Sequence, residues 1–323
     1  MKVETVLVTG GSGFLGGGLL RHLALCGRYS LVAALRRECN ELPQSIRRFM
    51  YADLAAYVDW QNALNHVDVV VHSAARVHVM AESAADPVAE FRRVNVEATL
   101  NLARQAAEAG VKRFIYLSSI KVNGEFTQPG CAFAADDAPD PVDPYGISKL
   151  EAELALKDLA LATGMEVVII RPVLVYGVGV KANFLNMIRW LQRGVPLPFG
   201  AVNNKRSLVS LENLIDFIVT CIEHPAAANQ TFLVSDGHDV STTELLRSLA
   251  KAMNSPTILL PLPVSLMSVV AKLLGKGAVA QRIFGSLEVD ITKNQRVLGW
   301  VPPVSFRSAI DSTVKPFLDV RKK

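Results

Sequence analysis

The chain has 323 residues, of which half are hydrophobic and a fifth are charged, and its formal net charge is +4. This length suits one large domain or two closely joined ones. The lysines and arginines are scattered along the sequence, which argues against a nucleic-acid surface, and the mild positive balance is compatible with an anionic small substrate.

The first half of the sequence alternates short apolar runs with helical patterns. Buried strands are predicted at residues 3–8, 30–35, 67–72, 114–118 and 167–171. Helices are predicted between them at residues 13–26, 60–65, 86–109 and 144–163. This alternation predicts an α/β fold, a doubly wound parallel sheet of the Rossmann type with helices on both faces.

After about Gly177 the pattern changes, because prolines and glycines become frequent and the predicted elements become short. We expect residues 1–177, with part of 205–235, to form a dinucleotide-binding domain. Residues 178–323 are expected to form most of a smaller, mixed substrate-binding region over the carboxyl edge of the sheet, where ligands of such folds bind.

A glycine-rich turn follows the first predicted strand. Gly10, Gly11, Gly13 and Gly16 satisfy both G-x-G-x-x-G and G-x-x-G-x-x-G. Glycines permit a tight turn and a close approach to a pyrophosphate, whose charge the N-terminus of the following helix stabilises. The turn therefore predicts a nicotinamide-dinucleotide site.

The end of the second predicted strand indicates which dinucleotide is bound. An acidic residue there would bind the ribose 2′-hydroxyl of NAD. This chain has Arg36 and Arg37 instead, and guanidinium groups suit the 2′-phosphate of NADP. We therefore expect NADPH as the cofactor. NAD is the alternative, since Glu38 follows directly.

Tyr145 and Lys149 form a Y-x-x-x-K pair. Residues four apart share a helix face, so the Lys149 ammonium is expected to lie beside the Tyr145 phenol and to lower its pKa. A tyrosine tuned in this way can exchange a proton with an alcohol or a ketone near neutral pH.

The cysteines and the apolar stretches indicate the cellular compartment of the protein. Cys26, Cys39, Cys131 and Cys221 include no C-x-x-C pair, so we expect reduced, mostly buried thiols of a cytoplasmic protein, with no metal site. The chain opens on a predicted strand, so no signal peptide is expected. Residues 265–275 are too short an apolar run to span a bilayer. Their spacing predicts an amphipathic helix that packs on the protein or covers a substrate, with contact to a membrane surface as the alternative.

Seven motifs together resemble those of the extended short-chain dehydrogenase/reductase family, over nearly the whole chain. They are residues 9–16, Asp53–Leu54, residues 72–75, 95–99, 116–124 and 144–149, and Arg171–Pro172. Two positions depart from the family pattern: Ala98 replaces a glycine, and Asn123 replaces a tyrosine.

The resemblance implies a catalytic set of Ser119, Tyr145 and Lys149. Ser119 would position the reacting sugar oxygen, Tyr145 would exchange its proton, and Lys149 would hold the nicotinamide ribose and tune Tyr145. The residues expected to bind the cofactor are Gly10, Gly13, Phe14, Leu15, Gly16, Arg36, Arg37, Asp53, Leu54, Ser73, Ala74, Ala75, Asn95, Tyr145, Lys149, Pro172 and Val173.

Within the family, the chain resembles the UDP-glucose 4-epimerase group of nucleotide-sugar enzymes. Residues 181–184, 197–200 and 205–210 carry this resemblance. The implied contacts with a UDP-sugar are Ser119, Asn183, Phe184, Leu197, Phe199, Arg206 and Arg282. The two arginines would pair with the diphosphate.

Two further departures bear on the reaction. Leu174 replaces the asparagine of 4-epimerases, and Ile120-Lys121 replaces the Asp-Glu acid/base pair of sugar 4,6-dehydratases, which argues against dehydration. NADPH suits a net reduction, and residues 116–125 and 173–184 resemble a bacterial subgroup close to 4-keto-sugar reductases.

We therefore expect NADPH-dependent reduction of the C4 ketone of a UDP-4-keto-6-deoxy-hexosamine, giving UDP-N-acetyl-quinovosamine or its C4 epimer, in bacterial surface-polysaccharide synthesis. One alternative is a UDP-glucose or UDP-N-acetylglucosamine 4-epimerase with tightly bound NAD. The other is a non-catalytic dinucleotide-binding regulator, against which the intact catalytic set argues.

The family also implies how the chain associates. Its members commonly form dimers through two long helices, here residues 86–109 and 144–163. We therefore expect a homodimer that takes a UDP-sugar, with no nucleic-acid partner and no integral membrane segment.

Overall fold

The computed structural model describes residues 4–77, 86–128 and 130–319. Seven strands form the main sheet: β1 (Glu4–Thr9), β2 (Tyr29–Leu35), β3 (Arg47–Met50), β4 (Val69–His72), β5 (Arg113–Leu117), β6 (Glu166–Pro172) and β9 (Thr231–Val234). Three strands form a second sheet: β7 (Leu174–Tyr176), β8 (Arg206–Ser210) and β10 (Asp239–Val240).

The main sheet has the order β3-β2-β1-β4-β5-β6-β9, and all its neighbouring strands pair in parallel. The chain starts in the middle at β1, runs outward to β3, and then returns to β4. The order therefore reverses between β1 and β4, and such a switch point is where ligands bind in open parallel sheets.

The helices before residue 164 are α1 (Phe14–Cys26), α2 (Gln61–Leu64), α3 (Pro87–Arg92), α4 (Ala98–Glu108) and α5 (Pro144–Thr163). Those that follow are α6 (Ala182–Gln192), α7 (Leu211–Glu223), α8 (Thr242–Ala252), α9 (Val264–Leu273), α10 (Gly277–Phe284), α11 (Thr292–Leu298) and α12 (Phe306–Asp319). A π-helical turn, Arg93–Glu97, joins α3 to α4, and 3₁₀ turns occupy Ile120–Val122 and Pro225–Ala227.

Alternation along the strands produces two cores, one on each face of the main sheet. In β1, Val6 and Val8 pack with α1 and α7, whereas Leu7 packs on the other face with α4 and α5. Successive strand side chains point to opposite faces, so a strand covered on both sides is apolar throughout. The predicted doubly wound α/β fold is confirmed.

A third core lies in the C-terminal part of the chain. Tyr176 and Phe184 belong to it, together with apolar residues of α8 and α12. β9 lies at the edge of the main sheet, within the 205–235 segment that we assigned in part to the first domain. The division of the chain into two domains stays a prediction.

Three local predictions need correction. The helix expected over residues 86–109 is interrupted by the π-helical turn, and β3 and β9 were not predicted. Cys26 and Cys131 are exposed, so the four free thiols are not mostly buried. Within the described ranges, no helix is long and apolar enough to cross a membrane.

Candidate active site

The candidate site lies at the edge of the main sheet where β1, β4, β5 and β6 end. Because these strands are parallel, the loops after them meet at this edge. They carry the glycine turn, residues 73–75, Ser119 and Pro172. α5, which carries Tyr145 and Lys149, packs beside the 3₁₀ turn that follows Ser119.

The glycine turn has the shape that a pyrophosphate requires. A Cβ on Gly16 would lie 2.4 Å from the carbonyl oxygen of Gly10, so only glycine fits there. The Gly13 amide closes the turn by donating to that same carbonyl oxygen at 2.8 Å. The turn brings backbone, rather than side chain, to the start of α1.

The N-terminus of α1 is suited to an anion. Gly13 is its N-cap residue and supplies no side-chain acceptor, so the first-turn N–H groups from Phe14 and Leu15 have no intrahelical partner. Unpaired N–H groups at the positive end of a helix dipole bind phosphate. The residues present therefore fit a nicotinamide dinucleotide, and they would hold its pyrophosphate.

The loop after β4 is fixed to the glycine turn. The Ser73 hydroxyl donates to the Thr9 carbonyl oxygen at 2.6 Å, and the Ala74 amide donates to the Thr9 hydroxyl at 3.2 Å. His72 lies between the hydroxyls of Thr9 and Thr99, at 2.8 and 2.9 Å. Burial, helped by Lys149, lowers the pKa of His72 to about 3, so this ring is a neutral structural group.

Asn95 occupies a supporting position behind this loop. It is 1% exposed, and its amide accepts from the Arg76 amide at 2.8 Å and donates to the Arg76 carbonyl oxygen at 3.0 Å. It also donates to the Ser148 hydroxyl at 3.0 Å. The structure thus ties the loop after β4 to α5 through Asn95, whose predicted contact with the cofactor stays a prediction.

The predicted ribose and adenine residues lie together after β2 and β3. Arg36 and Arg37 are exposed directly after β2. Burial raises the pKa of Tyr51, the charge of Arg36 acts against this, and the charge of Asp53 adds to it. Glu38 engages Arg48, at 3.3 Å.

The residues after β3 differ in burial. Asp53 is exposed and accepts from the Ala55 amide at 3.0 Å, whereas Leu54 is buried in the core. At the end of β6, Pro172 is half-buried and Val173 is buried. Contact of these four residues with the cofactor stays a prediction.

Tyr145 and Ser119 are brought together by the start of α5. Asp143 caps the helix, accepting from the Gly146 amide at 2.7 Å. A Cβ on Gly146 would lie 2.7 Å from the Lys121 carbonyl oxygen, so glycine allows the helix to approach the loop that carries Ser119. The Ser119 hydroxyl lies close enough to the Tyr145 phenol to act on the pKa of that phenol.

The Tyr145 phenol is not tuned as expected. Burial raises its pKa to about 12, although the hydrogen bond with Ser119 acts in the opposite direction. The expected lowering is therefore wrong for this structure. The physical reason is that helix spacing reports which residues are neighbours, whereas the loss of hydration depends on what the sheet and loops place around them.

Lys149 lies one turn further along α5. Its ammonium donates to the Leu117 carbonyl oxygen at 2.7 Å and lies 4.5 Å from the ring centroid of Tyr116 and 5.9 Å from that of Tyr145. Burial lowers its pKa to about 7, against the effect of Glu153. The predicted catalytic set is thus assembled in one place, with Lys149 buried and Tyr145 half-buried.

A buried polar network beneath this set was missed by sequence reasoning. Glu153, fully buried on α5, forms an ion pair with Arg171 and accepts from the Ser118 hydroxyl. Arg171 also donates to the Asn123 side-chain oxygen at 2.9 Å. The available signal was a glutamate one turn after Lys149 within an otherwise apolar helical face.

Two of the predicted diphosphate ligands lie next to each other. The Arg206 guanidinium donates to the carbonyl oxygens of Arg282 and Gly285, both at 3.3 Å. Burial lowers the pKa of Arg206, whereas Arg282 is exposed on α10. The structure therefore gathers these two cations at one end of α10.

The other predicted substrate residues differ in what they can offer. Phe184 is 2% exposed and its ring stacks on Tyr176 with centroids 5.4 Å apart, so its side chain belongs to the core. Leu197 is also buried, while Phe199 is half-buried and lies 6.4 Å from the ring of Phe284. The side chain of Asn183 lies outside the described part of the structure.

Comparison with known proteins identifies the family. The sequence matches the profile of the NAD dependent epimerase/dehydratase family over residues 6–235. The chain belongs to this family. The predicted resemblance to the nucleotide-sugar epimerase group of the extended short-chain dehydrogenases/reductases is confirmed, as is the prediction of an enzyme that uses a nicotinamide dinucleotide.

One relative is similar to this chain in sequence, and two solved structures are similar to it in fold. A Vibrio cholerae protein named UDP-glucose 4-epimerase is 48% identical over 321 residues, covering 99% of this chain and 97% of that protein. The structure of the Thermotoga maritima UDP-glucose 4-epimerase with UDP-glucose matches with a TM-score of 0.78 at 22% identity, covering 98% of this chain and 99% of that one. The Bacillus cereus UDP-glucuronic acid 4-epimerase in complex with NAD matches with a TM-score of 0.79 at 20% identity, covering 99% and 100%.

The expected C4-ketone reductase is wrong. The relative that is 48% identical over nearly the whole chain is named an epimerase, which favours the epimerase alternative. Besides the resemblance of residues 116–125 and 173–184 to reductases, the reductase prediction depended on Leu174 and on the arginines at 36 and 37. Leu174 is an exposed residue of β7, and the arginines bear on which dinucleotide is bound. Neither feature distinguishes a reductase from an epimerase, in which the hydride taken from the sugar returns to that sugar.

Proposed function

We propose that the chain interconverts the C4 epimers of a UDP-sugar, UDP-glucose or UDP-N-acetylglucosamine. The observation that carries this proposal is the 48% identity, over 99% of the chain, with the Vibrio cholerae UDP-glucose 4-epimerase. At that similarity the two chains share their length as well as their fold. The arrangement of Ser119, Tyr145 and Lys149 supports the same chemistry.

In the proposed reaction, Tyr145 takes the proton of the C4 hydroxyl and later returns it. Ser119 lies beside Tyr145, close enough to act on its pKa, so it would hold the same sugar oxygen next to the phenol. A bound oxidised dinucleotide would accept the C4 hydride and, after the 4-keto sugar turns over in the site, would supply it to the opposite face of C4; its positive nicotinamide ring would favour the Tyr145 phenolate. Lys149, with its ammonium fixed on Leu117, would hold the nicotinamide ribose.

Elimination of water is disfavoured by what surrounds Ser119. Lys121 occupies the second position after it and contacts Glu125, at 2.8 Å, and Asp143. Asp143 in turn caps α5. Both carboxylates are therefore engaged in fixing the start of the catalytic helix, and no acid/base pair directly follows Ser119 in the sequence.

Arg36 and Arg37 support a finer statement about the cofactor. Their exposure directly after β2, with Glu38 turned to Arg48, leaves two cations at the predicted ribose 2′ position. We propose a preference for the 2′-phosphate of NADP over NAD. Epimerisation returns the cofactor unchanged, so this preference is independent of the reaction.

We also propose that the chain forms a homodimer and is located in the cytoplasm. Leu154 and Leu161 of α5 are 52% and 87% exposed, which supports a homodimer through α4 and α5. The exposed thiols of Cys26 and Cys131 suit a reducing cytoplasm. Light scattering on the purified protein gives the mass in solution, and a monomer at all concentrations would contradict the dimer.

The test of the reaction uses purified protein with UDP-glucose and, separately, UDP-N-acetylglucosamine. Catalytic amounts of NAD⁺ or NADP⁺ are added, and NMR follows the C4 proton. We expect the C4 epimer to accumulate to an equilibrium ratio that is also reached when that epimer is the starting sugar, with no net formation of reduced cofactor. The proposal fails if neither sugar is epimerised by wild-type protein that binds the dinucleotide.

A further inference from the structure

Helix α9 exposes its apolar side. Leu266, Val269, Val270 and Leu273 are spaced i, i+3, i+4 and i+7, so they form one stripe along the helix. They are 54%, 55%, 46% and 81% exposed, and no residue of α9 is buried. A surface helix of a globular protein turns such a stripe inward. We call these four residues the α9 stripe.

The sequence favoured another role for this segment, with membrane contact as the alternative. The apolar run at 265–275 was predicted to pack on the protein or to cover a substrate. In the structure the helix that forms there presents its stripe to solvent, and Leu274 just beyond it is 67% exposed. Contiguous apolar surface of this kind marks an interaction site.

The charge around the α9 stripe indicates the kind of partner. Residues 245–287 contain no Asp or Glu, although the chain's average of 30 acidic residues in 323 would place about four there. The same segment contains five basic residues: Arg247, Lys251, Lys272, Lys276 and Arg282. Lys272 lies on α9 and Lys276 follows it directly, and both are exposed. The partner must therefore accept apolar side chains and offer negative charge.

A second copy of the chain does not meet both conditions. A two-fold contact places the same surface patch of each copy against the other. Docking two α9 stripes in this way would place two basic segments in one contact, and neither segment contains an acidic residue that could pair with Lys272 or Lys276 of the other copy. The surface of an anionic bilayer supplies an apolar layer and phosphates together.

We propose that α9 binds the surface of an anionic lipid bilayer. The helix lies in the plane of the headgroups, with the α9 stripe inserted and with Lys272 and Lys276 at the lipid phosphates. Its 10 residues are too few to span a membrane, so the contact is peripheral. The inference rests on exposure and charge and is independent of the proposed reaction.

The proposed contact is connected to the candidate active site. α10 follows α9, and its end supplies the Arg282 and Gly285 carbonyl oxygens that hold Arg206. The Leu260 amide, shortly before α9, donates to the Leu197 carbonyl oxygen at 2.8 Å. The residues before and after α9 are therefore hydrogen-bonded to Leu197 and Arg206, both of which are predicted to bind the substrate.

The test is flotation of the full-length protein with vesicles. One set is phosphatidylcholine alone, and the other contains equal parts of phosphatidylcholine and phosphatidylglycerol. We expect binding to the mixed vesicles at low ionic strength and at least tenfold weaker binding to phosphatidylcholine alone. High salt screens charges over a few ångströms, so it should weaken the binding to the mixed vesicles.

Three variants separate the contribution of the two lysines to vesicle binding from that of the α9 stripe. Lys272→Ala with Lys276→Ala should weaken binding by about fivefold for each lysine removed. Val269→Asp with Leu273→Asp should abolish measurable binding. Leu25→Asp, at an 89% exposed apolar position of α1, is the matched control and should bind as wild type does. Since all these positions are exposed, circular dichroism should show unchanged folding.

The outcomes decide the proposal. Equal binding to both kinds of vesicle, or none to either, overturns it. So does a change of mass in solution for the Val269→Asp, Leu273→Asp variant, since the α9 stripe would then be an interface between copies. Loss of vesicle binding in the stripe and lysine variants, with the Leu25→Asp control intact and the mass unchanged, supports it.

Discussion

Glu153 of α5 and Arg171 of β6 form a two-pronged ion pair inside the protein. Arg171 Nε lies 2.9 Å from one carboxylate oxygen and Nη2 lies 2.5 Å from the other. Both side chains are buried, and Ser118 and Asn123 provide further hydrogen bonds. The pair fixes the helix that carries Tyr145 and Lys149 to the end of a central strand.

The first prediction concerns this pair. Glu153→Gln should lower the free energy of unfolding by about 3–5 kcal/mol, because it leaves the Arg171 charge buried without its partner. Glu151→Gln is the matched control on the same helix, since the Glu151 pair with Arg92 is exposed and its loss should cost less than about 1 kcal/mol. Urea denaturation measures both changes. Similar losses would contradict the stabilising role of the buried pair.

The pair can also be tested as a unit. Glu153→Met together with Arg171→Met removes both charges, so neither is left buried alone. The double variant should be destabilised by less than the sum of the two single variants. A strictly additive result in the double-mutant cycle would mean that the two side chains stabilise the fold independently.

The second prediction separates two tyrosines. Tyr145→Phe should lower kcat by about 10²- to 10⁴-fold, because the phenol is the proposed proton carrier. Tyr116→Phe should change kcat by less than about threefold, since the buried Tyr116 hydroxyl has no hydrogen-bond partner among the described residues and is not the proposed proton carrier. Dinucleotide titration should give near-normal affinity for both variants. If both variants lost kcat to a similar extent, the result would contradict the assignment of proton transfer to Tyr145.

Sequence patterns predicted the parts of this protein that depend on local chemistry. The apolar runs of β1, β4 and β5 are buried on both faces, so they are apolar throughout and easily recognised. The glycine turn and the Tyr145–Lys149 spacing are also local. Each of these features was placed correctly to within a few residues.

The features that sequence patterns missed depend on distant contacts. β3 consists of two arginines followed by two half-buried or exposed apolar residues, so it carries no core pattern. The role of Glu153 depends on Arg171, which lies 18 residues away on another element. The exposure of the α9 stripe has the same origin, because amphipathic spacing identifies a face without saying what covers it.

The third prediction follows from the burial of Lys149. Its pKa is about 7 in the folded protein and 10.5 ordinarily, so between these pH values the unfolded chain binds more protons than the native one. The free energy of unfolding contributed by this group therefore rises with pH from about 7 to 10.5 and is flat below about 7. Lys149→Met should remove this rise.

Urea denaturation of wild type and Lys149→Met at pH 7 and pH 9 measures the effect. Loss of the hydrogen bond to Leu117 adds an offset at both pH values, so the change in the difference is the informative quantity. Lys157→Met, at an exposed position of the same helix, is the matched control. Parallel curves for wild type and Lys149→Met would mean that Lys149 is not desolvated in solution.

The fourth prediction concerns the choice of dinucleotide. Wild-type protein should bind NADP⁺ at least roughly tenfold tighter than NAD⁺, since one charge-assisted contact contributes about 1.5–3 kcal/mol. Arg36→Asp should reverse the order, and the same change at Arg37 identifies which guanidinium matters more. Titration followed by protein fluorescence gives the dissociation constants. Equal affinities in wild type would contradict a 2′-phosphate site at these arginines.

The last prediction concerns the diphosphate. Arg206→Ala should raise KM for the UDP-sugar by roughly ten- to a hundredfold, the effect of losing a charge-assisted contact of about 1.5–3 kcal/mol. A contact made equally in the ground and transition states changes KM and leaves kcat, so kcat should stay within about threefold. Arg206 also holds the end of α10, because its Nη1 donates to two carbonyl oxygens there, and Arg206→Lys keeps the charge while losing the planar guanidinium. The lysine variant should therefore have an intermediate KM.

Steady-state kinetics on wild type, Arg206→Ala and Arg206→Lys, with thermal melts to compare folding, test this prediction. A collapsed kcat at unchanged KM would place Arg206 in the chemistry, whereas no change in either would place the diphosphate elsewhere.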